Sequence, residues 1–296
     1  MSEKNSISVL LQGGLGNQLF QLVAGMYLNL NQDRNVKFCD SLLGAPRFRT
    51  NPAFSPRDLM IADLILEDEK SNVSRESIRL RELLARFKPE YWIRETDDWN
   101  EILDNVNSRT RFIDGYFQKF ELVDAVSGLL LGRLRASEAF RILIPDESIN
   151  RVGVHMRFGD YLNNAETRKF HGLTDISYYI NATQLLLKRL ECKEVVIVSD
   201  DPERAFKALT SQIEAKNVHF YCSEGTDELT DMATLSHSAG IVISNSSFSW
   251  WAGWLGSTLT GADVVAPAPW LAKPSKLDLE IICPTWSVLQ RSLMNK

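Results

Sequence analysis

The second half of the chain repeats one pattern: a short apolar run, a polar break, then a segment with helical spacing. "RVGVHMR", "EVVIVSDD", "NVHFYC", "GIVISNSS" and "ADVVAPAP" are the apolar runs. "ISYYINATQLLLKRL", "PERAFKALTSQI", "TDELTDMATLSHS" and "FSWWAGWLGSTL" lie between them. Continuous apolar runs rather than alternating ones mark strands covered on both faces, which is the signature of a parallel sheet with helices on either side. Strands alternating with helices in this way predict a doubly wound α/β domain. Ligands of such sheets bind outside the carboxyl ends of the strands. The polar sequence gathers there: "HMRFGD", "SDD" and "SNSS".

The first half begins in the same way. "ISVLLQ" is broken by "GGLGN", a helical face of Leu19, Leu22, Val23, Met26, Tyr27 and Leu30 follows, and "VKFC" reads as the next strand. "SRESIRLRELLARF" is a charged helix with one solvated face, "RFIDGYFQ" a strand and turn, and "LVDAVSGLLLGRL" a further helix. The segment from Ser41 to Asn107 is otherwise irregular. Pro145 marks the expected boundary between an N-terminal α/β domain, residues 1–145, and a C-terminal Rossmann-like domain, residues 146–296.

With 296 residues, two domains of ordinary size can each bury a core. The net charge of −5 argues against a general nucleic-acid surface, so an anionic ligand needs a local cluster of cations. Cys39, Cys192, Cys222 and Cys283 are spaced neither as a zinc site nor as a disulfide framework. No signal-peptide pattern and no run long enough to span a bilayer is visible. The expectation is a cytoplasmic protein, with peripheral attachment to the inner face of a membrane left open.

Each polar strand end has two readings. "GGLGNQ" offers Gly14, Gly16, Asn17 and Gln18 at a helix start, where backbone N–H groups favour an anion. Against the dinucleotide fingerprint it is incomplete, since Leu19 stands where the third glycine belongs, and a purely structural turn serves as well. In "HMRFGDY", Arg157 can fork onto phosphate, His155 can donate or accept a proton, and Asp160 can orient the arginine; the plainer reading is a local Arg157–Asp160 ion pair. Asn245, Ser246 and Ser247 are good N-cap residues, and the same hydroxyls with helix N–H groups can cradle phosphate. Phe248, Trp250, Trp251 and Trp254 read mainly as core, and one of them could stack on a base or sugar. In "SDDP", Asp200 could hold a ribose while Asp201 caps the next helix. His171, alone in a loop, reads as inert. The chain contains no D-x-D, H-E-x-x-H, G-x-S-x-G or Walker A pattern.

Taken in order, "GGLGNQLFQ", "VGVHMRFGDY", "HGLTDISYY", "VIVSDD" and "DELTDMATLSHSAGIVISNSSFSWWAGWL" resemble the alpha-1,2-fucosyltransferases of glycosyltransferase family 11. The resemblance runs from Gly13 to Leu255. It implies a GT-B-like α/β fold of two Rossmann-like domains facing a cleft, the N-terminal one on the acceptor side and the C-terminal one binding the donor. It implies GDP-β-L-fucose as donor, a terminal β-galactoside as acceptor, inversion at the anomeric carbon, and no metal or other cofactor. Arg157 then meets the diphosphate, with His155 and Asp160 beside it as catalytic candidates. Gly14, Gly16, Asn17, Gln18, Asp200, Asp227, Asn245, Ser246, Ser247 and Phe248 become the donor-binding candidates. The family signature H-x-R-R-x-D is broken at its second arginine, which is Phe158 here. Two rivals stand: a nicotinamide-dependent oxidoreductase, suggested by "GGLGNQ" and Asp40, and a non-catalytic nucleotide- or carbohydrate-binding protein.

Overall fold

A computed structural model describes residues 6–32, 34–44, 56–95, 106–158, 174–213, 217–272 and 277–292. Asp160 and His171 lie outside the described residues. The chain divides into two compact units, Met1–Arg133 and Leu134–Lys296.

The first unit holds β1 (Ser6–Leu10), α1 (Leu15–Asn31), β2 (Asn35–Cys39), α2 (Arg75–Ala85), β3 (Trp92–Arg94) and β4 (Phe112–Asp114), and then most of α3 (Phe120–Ala136). Its four strands run in the order β2-β1-β4-β3, and every pairing is parallel. The crossover α1 is buried along most of its length, including Leu19, Phe20, Leu22 and Val23. α2 packs through Ile78 and Ala85 onto Leu10, Cys39, Leu42, Trp92 and Phe112.

The second unit holds β5 (Ile149–Met156), α4 (Ile176–Leu190), β6 (Glu194–Ser199), α5 (Pro202–Thr210), β7 (His219–Cys222) and α6 (Glu228–Ser236). β8 (Ser238–Val242), α7 (Ser247–Thr260), β9 (Asp263–Ala268), the short α8 (Leu277–Glu280) and β10 (Ser287–Gln290) complete it. The six strands lie in the order β10-β9-β8-β5-β6-β7, all parallel. Counted within the unit this is 3-2-1-4-5-6 read from the β7 edge, the Rossmann order, with its switch point between β5 and β8. The fold is therefore α/β and GT-B-like in carrying two parallel-sheet units.

The division falls between Arg133 and Leu134, ahead of the boundary expected at Pro145. The cause is local. A 3-10 turn at Phe140–Leu143 is tied to the second unit, where Ser236 Oγ donates to the Leu143 carbonyl and His237 Nε2 lies 3.0 Å from that of Ile142. Proline at 145 thus breaks a connection within the second unit.

The aromatic helix α7 is core, as its sequence suggests. Trp250, Trp251 and Trp254 are all buried and meet edge to face, with centroids 5.1 and 5.4 Å apart. Burying such side chains is worth roughly 1.5–3 kcal/mol each. A Cβ on Gly256 would come within 2.8 Å of the Ser236 carbonyl, so α7 approaches α6 closely only because that position has no side chain.

Candidate functional site

At the carboxyl end of the first unit's sheet, β1 leads into α1 through Gly13 and Gly14. Gly13 takes φ +77°, and a Cβ there would meet Asn17 Nδ2 at 2.4 Å. Gly14 is the N-cap, and its carbonyl accepts from the backbone N–H groups of Asn17 and Gln18. Gly16 is buried in the first turn of α1. Asn17 is half-buried and its Oδ1 accepts from Gln118 Nε2 at 2.8 Å.

Gln18 turns its side chain onto the protein's own backbone. It is fully buried; its Nε2 donates to the carbonyls of Gly13 and Asp58, and its Oε1 accepts from Met60 N–H. Both ends of its amide hold backbone that would otherwise lack partners. Gln21 does the same work, accepting from Gln12 N–H and donating to the Gly115 carbonyl. Buried amides with every group matched fix a loop rather than recognise a ligand.

In the second unit, Val154 of β5 is level with Val242 of β8. Beyond that pair β5 continues through His155 and Met156 against β6, while Ile243–Ser246 follow β8, so Arg157 and Ser246 emerge at the switch point. His155 is buried and its Nδ1 lies 2.9 Å from Ser244 Oγ. Ser244 Oγ lies 3.3 Å from Ser249 Oγ, and Ser249 reaches back to the carbonyls of Ser244 and Ser246. Phe248 closes over the imidazole, with ring centroids 5.1 Å apart. Burial, with the Arg157 charge adding to it, drives the His155 pKa down to about 3. The imidazole is therefore neutral at physiological pH and a weak base. The side chain is engaged by Ser244 and packs against Phe248.

Arg157 is half-buried just past β5, and its Nη1 makes a long 3.5 Å contact with Ser246 Oγ. Ser246 occupies the N-cap position of α7, yet its side chain makes no cap hydrogen bond. Its hydroxyl points to the arginine's side of the site, and half-buried Ser247 opens the helix behind it. A guanidinium, a hydroxyl and a helix N-terminus together form a cradle for an anion.

Asn245 is buried, and its amide is committed: Oδ1 accepts from Thr174 Oγ1 and Nδ2 donates to the Trp270 carbonyl. Its side chain thereby ties the end of β8 to Thr174 and Trp270. Asp200 Oδ1 accepts from Phe158 N–H at 2.8 Å and so fixes the loop that carries Arg157. Asp227 follows the edge strand β7 and is engaged in a helix cap on α6, accepting from Thr230 N–H, a bond that also depresses its pKa. Asp201 caps α5 as expected, accepting from Arg204 N–H.

Several contributors carry little signal in sequence. Ser244 looked like one more strand-end serine. Arg204 of α5 places its guanidinium 4.5 Å over the ring of Phe158, so a cation stands beside the position where the signature arginine is missing. Arg291, buried just beyond β10, donates to the carbonyls of Pro269 and Trp270 and to Thr174 Oγ1. It thereby closes a ring of hydrogen bonds around Asn245.

Comparison with known proteins places the chain in a family. The model of the family described as "Glycosyl transferase family 11" matches residues 64–289. An alpha-1,2-colitosyltransferase of Escherichia coli is 27% identical over 281 residues, 89% of this chain and 91% of that protein. The O-antigen biosynthesis glycosyltransferase WbnK of Escherichia coli is 28% identical over 295 residues, covering 91% and 96% respectively. Among solved structures, a glycosyl transferase of family 9 from Veillonella parvula is 10% identical with a TM-score of 0.48, covering 98% of this chain and 88% of its own.

Proposed function

The chain belongs to glycosyl transferase family 11, and from that premise we propose that it moves L-fucose from GDP-β-L-fucose to the 2-hydroxyl of a terminal β-galactoside. The transfer inverts the anomeric centre and requires no metal. The second unit takes the nucleotide and the first the acceptor. The product is a surface polysaccharide of the O-antigen kind, in keeping with the role printed for the 28% identical relative. The work is cytoplasmic; among the described residues no helix is long and apolar enough to cross a membrane.

One observation carries the reading: Arg157 and Ser246 sit together at the Rossmann switch point. As the bond between the sugar's anomeric carbon and the β-phosphate oxygen breaks, negative charge collects on the departing GDP. Arg157, the Ser246 and Ser247 hydroxyls and the first turn of α7 supply fixed positive charge and donors there. The acceptor oxygen forms the new bond and gives up its proton. A neutral, weakly basic His155 is poorly matched to receive it. Asp160 is the remaining candidate from the same sequence motif.

A second donor has its own support. The 27% identical relative is a colitosyltransferase, so a colitosyl nucleotide is the alternative to the fucosyl one. The test supplies each donor with a panel of β-galactosides in the presence of EDTA and determines the linkage of the product. Arg157→Ala should lower GDP release by about 10²–10³-fold with an unchanged melting profile. Arg157→Lys should be nearly as poor, because an ammonium cannot fork onto two oxygens. Turnover in Arg157→Ala within threefold of wild type, or loss of all activity in EDTA, would refute the mechanism.

A further inference from the structure

The α2 helix has two apolar faces, and only one is used by the core. Ile78 and Ala85 point inward to the first unit's sheet. On the opposite side, Leu80, Leu83, Leu84 and Phe87 recur at i, i+3, i+4 and i+7 and are 59%, 52%, 53% and 82% exposed. Elsewhere the exposed large apolar residues, such as Leu30 and Leu129, stand singly along the sequence, which is ordinary for a protein surface. Four on one stripe is not.

The polar residues beside the stripe are also ordered. At roughly 100° per residue, Arg79 and the C-cap Arg86 fall on one edge of it and Arg81 on the other, while Lys88 follows beyond the helix. Residues 75–88 carry five cations (Arg75, Arg79, Arg81, Arg86, Lys88) and two acids (Glu76, Glu82), a local charge of +3 in a chain of net −5. Glu82 is turned from the stripe and pairs with Arg94 at 2.7 Å. An apolar stripe bordered by cations on both sides is the pattern of a helix lying in the plane of a lipid interface, apolar groups in the acyl boundary and cations among the headgroups.

We propose that the outer face of α2 and the turn beyond it dock the protein onto an anionic lipid membrane, with Leu80, Leu83, Leu84 and Phe87 inserted and the exposed Arg86 and Lys88 on the phosphates. A second copy of the chain fits this face less well. A two-fold contact would set the same cations against one another, and charged groups are depleted at the centre of protein interfaces. The inference does not depend on which sugar is moved.

The test is co-sedimentation of the full chain with vesicles of phosphatidylglycerol and phosphatidylcholine or of phosphatidylcholine alone. Binding is expected to the anionic vesicles only, weakening as salt is raised. Arg86→Gln with Lys88→Gln should reduce partitioning about tenfold. Leu83→Ser with Phe87→Ser should reduce it by at least about tenfold. Thermal melts of both variants should match wild type, because all four side chains are exposed. Failure of the wild type to sediment with anionic vesicles, or partitioning of the variants equal to wild type, overturns the proposal. So does a wild-type dimer in sedimentation velocity that Leu83→Ser with Phe87→Ser converts to monomer, since the face then joins two copies.

Discussion

His155 shows how one side chain can be prominent in a sequence and yet take a different role from the one its chemistry suggests. Its folded pKa of about 3 lies below the ordinary 6.5. The unfolded chain therefore takes up a proton that the folded chain refuses, and stability falls as pH drops below the unfolded value. The loss is up to about 1.4 kcal/mol per pH unit. Thermal melts should show wild type losing more stability than His155→Gln between pH 7.5 and pH 5.5; parallel losses would contradict the assignment. At this scale the sequence separated residue types better than roles. Arg157 and Ser246 stood out and do meet. Gln18 and Asn245 stood out equally, but a strand end needs amides to satisfy its own backbone as much as to hold a ligand. Nothing in the order of residues tells those two demands apart.

Among elements, the buried parallel strands were the most legible, because continuous Val and Ile runs need cover on both faces. The two that escaped notice are short and lie at sheet edges. β3 is three residues long and follows a 3-10 turn at Pro89, while β10 alternates partly buried and exposed residues. An edge strand with one solvated face carries little apolar signal. The turn from β1 into α1 makes a sharper test. In Gly13→Ala the new methyl would need a left-handed backbone and would collide with the Asn17 side chain that Gln118 holds. The expected cost is about 1–3 kcal/mol, read by chemical denaturation. Gly14→Ala, with nothing within 4 Å of the added atom, should cost less.

Across the whole molecule, the two units differ in strand order. The Rossmann sequence of strands belongs to the second unit, whereas "GGLGNQ" belongs to the first, whose four strands run β2-β1-β4-β3. The dinucleotide rival needs the glycine turn and a full dinucleotide-binding sheet in the same unit. Calorimetric titration is accordingly expected to show GDP binding and no NAD binding. The ring of bonds that Arg291 draws around Asn245 has a further consequence, for assembly. Its partners sit at Thr174, Pro269 and Trp270, so a ribosome adding roughly ten residues per second delivers the clamp well after the strands it secures. A nascent chain halted before Arg291 would carry Thr174, Asn245 and Trp270 without that lock.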